Sequence, residues 1–383
     1  RQRQMCIRDR SNMRHTVVIT CLLSTWPAFG QTTPPAPSEA TPGPKVSYRQ
    51  HQNLMVVRNK SGHARPVRSL KDWRIRRQHI LSGMQQVMGP LPDRESRVPL
   101  DVRISETVQL GAVTRRKLTF RSDRTGRVSA YLFLPAHVTP TRRHPAILCL
   151  QQTNRDGKLE AAGLAGNPDL AHAVHLAKRG YVTLAPDYPG FGESTFDFSS
   201  RHGYASGTMK AIWDNIRAVD LFTTLDRVDP ARIGVIGHSL GGHNAIFTAA
   251  FEPRIRVIIS NCGFTRFHKD DVPSWTGPRY MPRIRSHFGN NADRLPFDFP
   301  EIVGTFAPRP FLAIAARGDN DFDYTGVLDS VDAARPVYGL FAARAHLQAA
   351  YPGIGHSFPS SSRQLADRFL DRHLKHSPHP LRK

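Results

Sequence analysis

The sequence predicts an α/β protein with a mostly parallel, twisted sheet covered by helices on both faces. Three observations carry this. From residue 128 onward, short apolar runs of strand character alternate with longer segments of helical periodicity, and such alternation requires crossover connections between parallel strands. Runs such as Ala146-Ile147-Leu148-Cys149-Leu150 are apolar throughout, as expected of strands buried on both sides. The chain has 383 residues, 39% of them hydrophobic, with 20 Phe and 9 Tyr, enough to bury a large core and too apolar for a disordered chain.

Taken in order, the chain begins with a segment to set aside. Met13-Arg14-His15 precedes the apolar run Val17-Val18-Ile19-Thr20-Cys21-Leu22-Leu23, and small residues stand at Ala28 and Gly30. A short basic start, a short apolar run and a small-x-small site read as a secretory signal over 13–30, cut before Gln31. Residues 1–12 would spoil that signal, so they are expected to be a non-native leader. Residues 31–65 are expected to be a Pro-rich linker, and 66–383 a single domain.

Ser69-Leu70-Lys71-Asp72 reads as a capping box that opens a helix running to about Met88, stopped by Gly89-Pro90. Trp73, Ile80, Leu81, Met84 and Val87 recur on one face of it. Residues 113–120 and 128–134 form strands joined by the turn Asp123-Arg124-Thr125-Gly126. This N-terminal helix and hairpin extend the main sheet. Strands then follow at 146–150, 182–185, 233–236, 257–260 and 311–315. Helices are expected near 170–179, 209–225, 242–251 and 361–375. Segment 264–300, rich in Pro, Trp, Arg and Phe, breaks the alternation and is expected to be an inserted lid.

Composition limits the function classes. Lys and Arg number 53 against 31 Asp and Glu, a formal charge of +22, which raises the question of a polyanion partner. The basic residues are scattered; the densest clusters, Arg74-Ile75-Arg76-Arg77 and Arg115-Arg116-Lys117, are short. With no C-x-x-C pair, aromatic RNA-binding signature or basic tail, no nucleic-acid partner is expected. No stretch of 18 apolar residues exists, so no spanning helix is expected. Four cysteines in so long a chain exclude a disulfide scaffold, and Cys149 and Cys262 are expected to be buried free thiols.

The chemistry is carried by Gly237-His238-Ser239-Leu240-Gly241, a G-x-S-x-G run directly between an apolar strand and a helix. A sharp turn there lifts the Ser239 oxygen above the sheet, and the flanking glycines are needed because side chains would strike neighbouring backbone. The helix N-terminus behind it favours developing negative charge. A serine hydroxyl needs a base. Of 18 histidines, His356 has the best setting, in the Gly-rich loop Tyr351-Pro352-Gly353-Ile354-Gly355-His356 before the last helix. His238 and His243, which flank the turn, are expected to pack or orient.

The acid that orients the imidazole should follow the strand between nucleophile and base. Asp319 falls where that loop first leaves the sheet, with Asp323 second, Asp321 third, and Asp270 or Asp271 as outside choices. The tetrahedral oxyanion needs backbone N–H donors. Leu240, just after the nucleophile, supplies one, and the loop beginning Gln151-Gln152-Thr153 the other, Gln152 first and Thr153 next.

Together these residues resemble the α/β-hydrolase superfamily over about 130–375. Supporting runs are Asp187-Tyr188-Pro189-Gly190-Phe191-Gly192-Glu193-Ser194 and Val228-Asp229-Pro230-Ala231-Arg232-Ile233-Gly234. Arg279-Tyr280-Met281-Pro282 and Ala307-Pro308-Arg309-Pro310 are similar to segments of its dienelactone-hydrolase-like and acetyl-xylan-esterase-like branch. Dienelactone hydrolases carry Cys where Ser239 stands, and Gln151-Gln152 departs from the His-Gly start of many esterase oxyanion loops. The resemblance and the signal together imply a secreted or periplasmic serine esterase without metal or organic cofactor, acting on esters of carbohydrates or small plant-derived acids. Trp275, Arg279 and Tyr280 are the expected pocket residues. A prolyl-oligopeptidase-type peptidase shares this catalytic domain, but usually with a large N-terminal propeller that the stretch before the sheet is too short to build. A non-catalytic polyanion-binding protein on the same scaffold would lack a triad member and show one contiguous basic face.

Overall fold

Ser69 begins the first long helix. In α1 (Leu70–Met88) its hydroxyl accepts the Asp72 N–H while the Asp72 carboxylate accepts the Ser69 N–H, a reciprocal cap worth about 1 kcal/mol. Trp73, Ile80, Met84 and Val87 form its buried face. The structure, a computed structural model, describes residues 46–136, 143–199 and 202–377. The leader expected at 1–12, the signal at 13–30 and the first part of the linker lie outside them.

The linker expected over 31–65 is corrected from residue 46 on. Tyr48, His51, Leu54 and Val57 are buried, and β1 (Val56–Arg58) pairs antiparallel with β2 (Ala64–Pro66). Polar anchors rather than an apolar run hold this segment, which is why its composition reads as linker. The Arg76 guanidinium lies 3.4 Å from the centre of the Tyr48 ring, and His51 Nδ1 lies 2.8 Å from Glu301 Oε2. Glu301 also binds Arg76, so the segment closes over a buried ionic triad.

The main sheet contains β3 (Arg103–Leu110), β4 (Val113–Arg121), β5 (Arg127–Pro135), β6 (His144–Leu150), β7 (Val182–Pro186), β8 (Val228–His238), β9 (Ile255–Asn261), β10 (Phe311–Ile314) and β11 (Leu347–Ala350). Their spatial order is β11-β10-β9-β8-β6-β7-β5-β4-β3. From β7 through β11 every pairing is parallel, while β7, β5, β4 and β3 pair antiparallel. Asp123 makes the β4–β5 turn, its Oδ1 accepting Thr125 N–H at 2.9 Å and Gly126 N–H at 2.7 Å.

Alternation along each central strand feeds two cores. Ala146, Leu148, Val235 and Ile258 pack on one side with α1, α4 (Gly207–Thr224), α5 (Leu240–Phe251), α7 (Phe299–Gly304) and α8 (Tyr324–Leu340). Ile147, Cys149, Ile236 and Ile259 pack on the other with α3 (His172–Lys178) and α9 (Ser360–His373). The α2 helix (Lys158–Ala161) is a single turn beside α3, and α6 (Arg283–Ser286) a single turn within 264–300. This is the α/β-hydrolase fold.

Segment 264–300 runs between β9 and the strand β10, but it is no loose flap. Phe267, Trp275, Met281, Ile284, Leu295 and Phe297 are buried in the larger core. Among the described residues no helix is long and apolar enough to cross a membrane. β6 sends the chain to β7 on one side while β8 lies on its other. The strand order reverses there, and the crevice at the carboxyl ends of β6 and β8 is where such sheets bind ligands.

Candidate active site

β8 ends at His238, and Ser239 turns into α5 with φ 55 and ψ −123, a conformation that L residues adopt only under constraint. The constraint is close packing. A Cβ on Gly237 would sit 2.2 Å from the Gly241 carbonyl carbon, and one on Gly241 would sit 2.2 Å from Leu150 O at the end of β6. The Ser239 N–H is held by Asn261 O at 3.0 Å. The serine hydroxyl therefore stands half-buried at the head of α5, over the crevice.

His356 and Asp319 meet because their loops are stitched together. Arg317 N–H donates to Pro352 O and Gly318 N–H to Ile354 O, each at 2.9 Å. This brings His356 Nδ1 to 3.0 Å from both carboxylate oxygens of Asp319. Asp319 Oδ1 also accepts the N–H groups of Asp321 at 2.9 Å and Phe322 at 3.1 Å. Burial alone would raise the Asp319 pKa, but His356 and these donors outweigh it and hold the carboxyl below its ordinary value.

The other acids stand elsewhere. Asp323 caps α8, its Oδ1 accepting Thr325 N–H at 2.8 Å. Asp270 accepts the Trp275 indole N–H at 2.8 Å, and burial pushes its carboxyl up to about 6; neighbouring Asp271 is exposed. Asp321 is exposed, and its Oδ2 lies 3.7 Å from His356 Nε2. Among the described residues Nε2 has no hydrogen bond. Among the described residues no hydrogen bond joins Ser239 Oγ to His356, a gap that such sites often close only on substrate.

His238 connects the two halves. Its ring centre is 4.6 Å from that of His356, and its Nδ1 accepts from Asn261 Nδ2 at 2.6 Å. Asn261 Nδ2 also donates to Ser357 O at 3.0 Å, tying the end of β9 to the His356 loop. Burial lowers His238 to about 3, so it stays neutral. His243, one turn into α5, is likewise lowered to about 3 by burial and packs against Trp275.

Leu240 N–H opens α5 and Gln152 N–H lies in the loop after β6; among the described residues neither has an intramolecular acceptor. That loop is braced from below. Gln152 Nε2 donates to buried Glu160 Oε1 at 3.0 Å, which also accepts Asn167 N–H at 3.0 Å. Lys158, fully buried, donates through Nζ to Asp187 at 2.7 Å and to Glu193 at 3.0 Å. Gly157 and Gly192 lie so close to Asp187 that a Cβ on either would come within 2.2 Å of Oδ1 or closer. The Asp187-to-Glu193 run thus pins the loop that presents Gln152. Sequence reasoning missed Lys158 and Glu160, because nothing in a charged residue's type signals its burial.

Of the three expected pocket residues, Tyr280 reaches the site: its hydroxyl is 3.1 Å from Thr153 Oγ1, and its ring packs with Leu240 and Tyr188. Arg279 is exposed, its Nε donating to Gly190 O at 3.2 Å and its guanidinium 4.8 Å from the centre of the Phe191 ring. Trp275 is corrected: only 4% exposed, it stands behind the site among Phe247, Phe267 and Phe299. It meets the surroundings of the site through His243 and through Phe322, whose ring lies 6.0 Å from that of His356.

Comparison with known proteins gives a consistent picture. The sequence model of the prolyl oligopeptidase family matches residues 169–376. A putative hydrolase, YtaP, of Bacillus subtilis is 29% identical over 216 residues, covering 52% of this chain and 67% of that protein. A 4-O-methyl-glucuronoyl methylesterase of Phanerochaete carnosa is 25% identical, covering 71% of this chain and 68% of the relative. A solved glucuronoyl esterase from Solibacter usitatus superposes with TM-score 0.67 at 20% identity, covering 86% of this chain and 99% of that one. At that identity the superposition speaks for the shared fold.

Proposed function

Because the chain belongs to the prolyl oligopeptidase family, as a serine hydrolase of carboxylic esters, we propose that it is a carbohydrate esterase in which Ser239 is the nucleophile, His356 the base and Asp319 the acid. The observation that carries this reading is the His356–Asp319 pair, 3.0 Å apart, beside the strained Ser239 turn. Ser239 Oγ attacks the ester carbonyl as its proton passes to His356 Nε2. Asp319 fixes the proton on Nδ1 and stabilises the imidazolium. The N–H groups of Leu240 and Gln152 receive the oxyanion, and the helix N-terminus adds to the same field. The imidazolium protonates the leaving alcohol, and water clears the acyl-enzyme by the same steps in reverse.

The relatives support a substrate class. A 4-O-methyl-glucuronoyl methylesterase and a glucuronoyl esterase favour an alkyl ester of a uronic acid sugar over an acetylated sugar. The Tyr280–Thr153 contact supports these two, with Arg279 beside them, as the side chains that meet the sugar. The features at 13–30 favour a secreted or periplasmic location. Kinetics on methyl glucuronate, acetylated sugars and aryl esters test the substrate; the highest kcat/KM is expected on the uronate ester, and preference for acetyl esters would reverse the assignment. The family match favours one second reading, a peptidase, which predicts cleavage of prolyl anilides that the esterase reading does not.

A further inference from the structure

Cys262 follows β9 directly, in the left-handed region at φ 45, its N–H bonded to Ile314 O at 2.8 Å. Its thiol is buried, and none of the proposed steps uses it. Yet its sulfur, a carboxylate oxygen of Asp319 and a ring nitrogen of His356 all lie within 4.8 Å of one another. The Ser357 carbonyl oxygen is 3.9 Å from the sulfur. Thiolate, carboxylate and imidazole are the donor set of Zn²⁺ and its thiophilic relatives, and a poor one for Mg²⁺ or Ca²⁺.

We propose that Cys262, Asp319 and His356 form an inhibitory site for a thiophilic divalent cation such as Zn²⁺ or Cd²⁺. Metal–ligand bonds of about 2.0–2.3 Å place tetrahedral ligands roughly 3.3–3.8 Å apart. The Asp319 and His356 ligand atoms, 3.0 Å apart, need to open slightly, and the Cys262 sulfur, within 4.8 Å of them, needs to close by about 1 Å. A thiolate and a carboxylate together neutralise the divalent charge, so the filled site leaves no net charge in a buried place. The ion takes His356 through Nδ1, the nitrogen that faces Asp319.

Binding displaces one proton, from the thiol, and moves the imidazole proton from Nδ1 to Nε2. With metal on Nδ1, the neutral imidazole carries its proton on Nε2 and has no lone pair left for the Ser239 hydroxyl. The base is lost without any blocking of the crevice. Inhibition rests on the reading of His356 as base; metal binding does not.

The test therefore has two readouts on the full chain. Co²⁺ added to the Ser239→Ala protein should give a sulfur-to-cobalt charge-transfer band, absent when Cys262→Ala is added. Zn²⁺ should inhibit ester hydrolysis, reversibly with EDTA. Cys262→Ala should leave basal turnover within about threefold while weakening Zn²⁺ inhibition by at least about tenfold. Cys262→Ser supplies the same comparison if the alanine variant does not fold. A cobalt band that persists without Cys262, or equal Zn²⁺ inhibition of wild type and both variants, overturns the proposal. A Cys262-dependent band in a protein that hydrolyses no ester supports the metal site and counts against the esterase reading alone.

Discussion

His356 Nδ1 stands equidistant, at 3.0 Å, from both carboxylate oxygens of Asp319, while Asp321 and Asp323 hold no comparable place. The first prediction follows from this difference. Asp319→Asn keeps the shape but supports the wrong imidazole tautomer, and should lower kcat by about 10³–10⁴-fold. Asp321→Asn should change kcat by no more than about threefold. Asp323→Asn should leave turnover intact and cost at most about 1 kcal/mol of stability, as a changed helix cap. Steady-state kinetics on an aryl ester check all three; a large loss at Asp321 with none at Asp319 would move the acid.

Gly241 offers a sharper steric test. A methyl group there meets Leu150 O at 2.2 Å, a backbone atom that cannot step aside. Gly241→Ala should abolish activity and destabilise the fold by roughly 1–3 kcal/mol or more. Gly353→Ala, with nothing within 4 Å of its Cβ, is the control and should behave as wild type. Urea unfolding and turnover of the two variants make the comparison.

Glu160 holds the loop without touching substrate. Glu160→Ala, which removes the acceptor of both bonds, should misplace the Gln152 N–H and lower kcat by about tenfold with little change in KM, less than the 10²–10³-fold expected for losing an oxyanion donor outright. A rise in KM at constant kcat would instead make Glu160 part of ground-state binding.

His51 carries a pH dependence of stability. Burial would lower its pKa, but the hydrogen bond and charge of Glu301 outweigh burial and raise it. A raised folded-state pKa means that the folded protein holds this proton more tightly. The stabilisation is complete below the ordinary histidine value of about 6.5 and fades as pH rises through the folded-state value. The stability difference between wild type and His51→Gln should therefore be larger at pH 5.5 than at pH 8.5, measured by urea midpoint. The reverse trend would mean that His51 is buried neutral.

Much of the molecule was legible from short-range pattern. The Ser69 cap, the Asp123 turn, the all-apolar strands and the Ser239 turn each announce themselves within a few residues. Features that depend on distant partners were not. β3 is a solvent-facing strand with no apolar run, and it forms only because β4 offers an edge. α8 contains Pro336 and so reads as interrupted, yet it packs through Val327, Val331 and Ala334. Residues 46–65 read as linker because Tyr48 and His51 are anchored by Arg76 and Glu301, far along the chain. Trp275 read as pocket lining because an aromatic in a polar segment looks the same whether it faces substrate or core. Within the site, the Gly-rich setting pointed to His356, whereas the ranking of three nearby aspartates depended on which one the Gly318–Ile354 bond brings beside it.

The central claim is that Ser239 is the one activated hydroxyl. It is tested most directly by treating the protein with a fluorophosphonate and locating the adduct by peptide mass spectrometry. A single adduct on Ser239, lost in Ser239→Ala and strongly slowed in His356→Ala, is the expected result. An adduct on another residue, or labelling that survives the Ser239→Ala change, would contradict it.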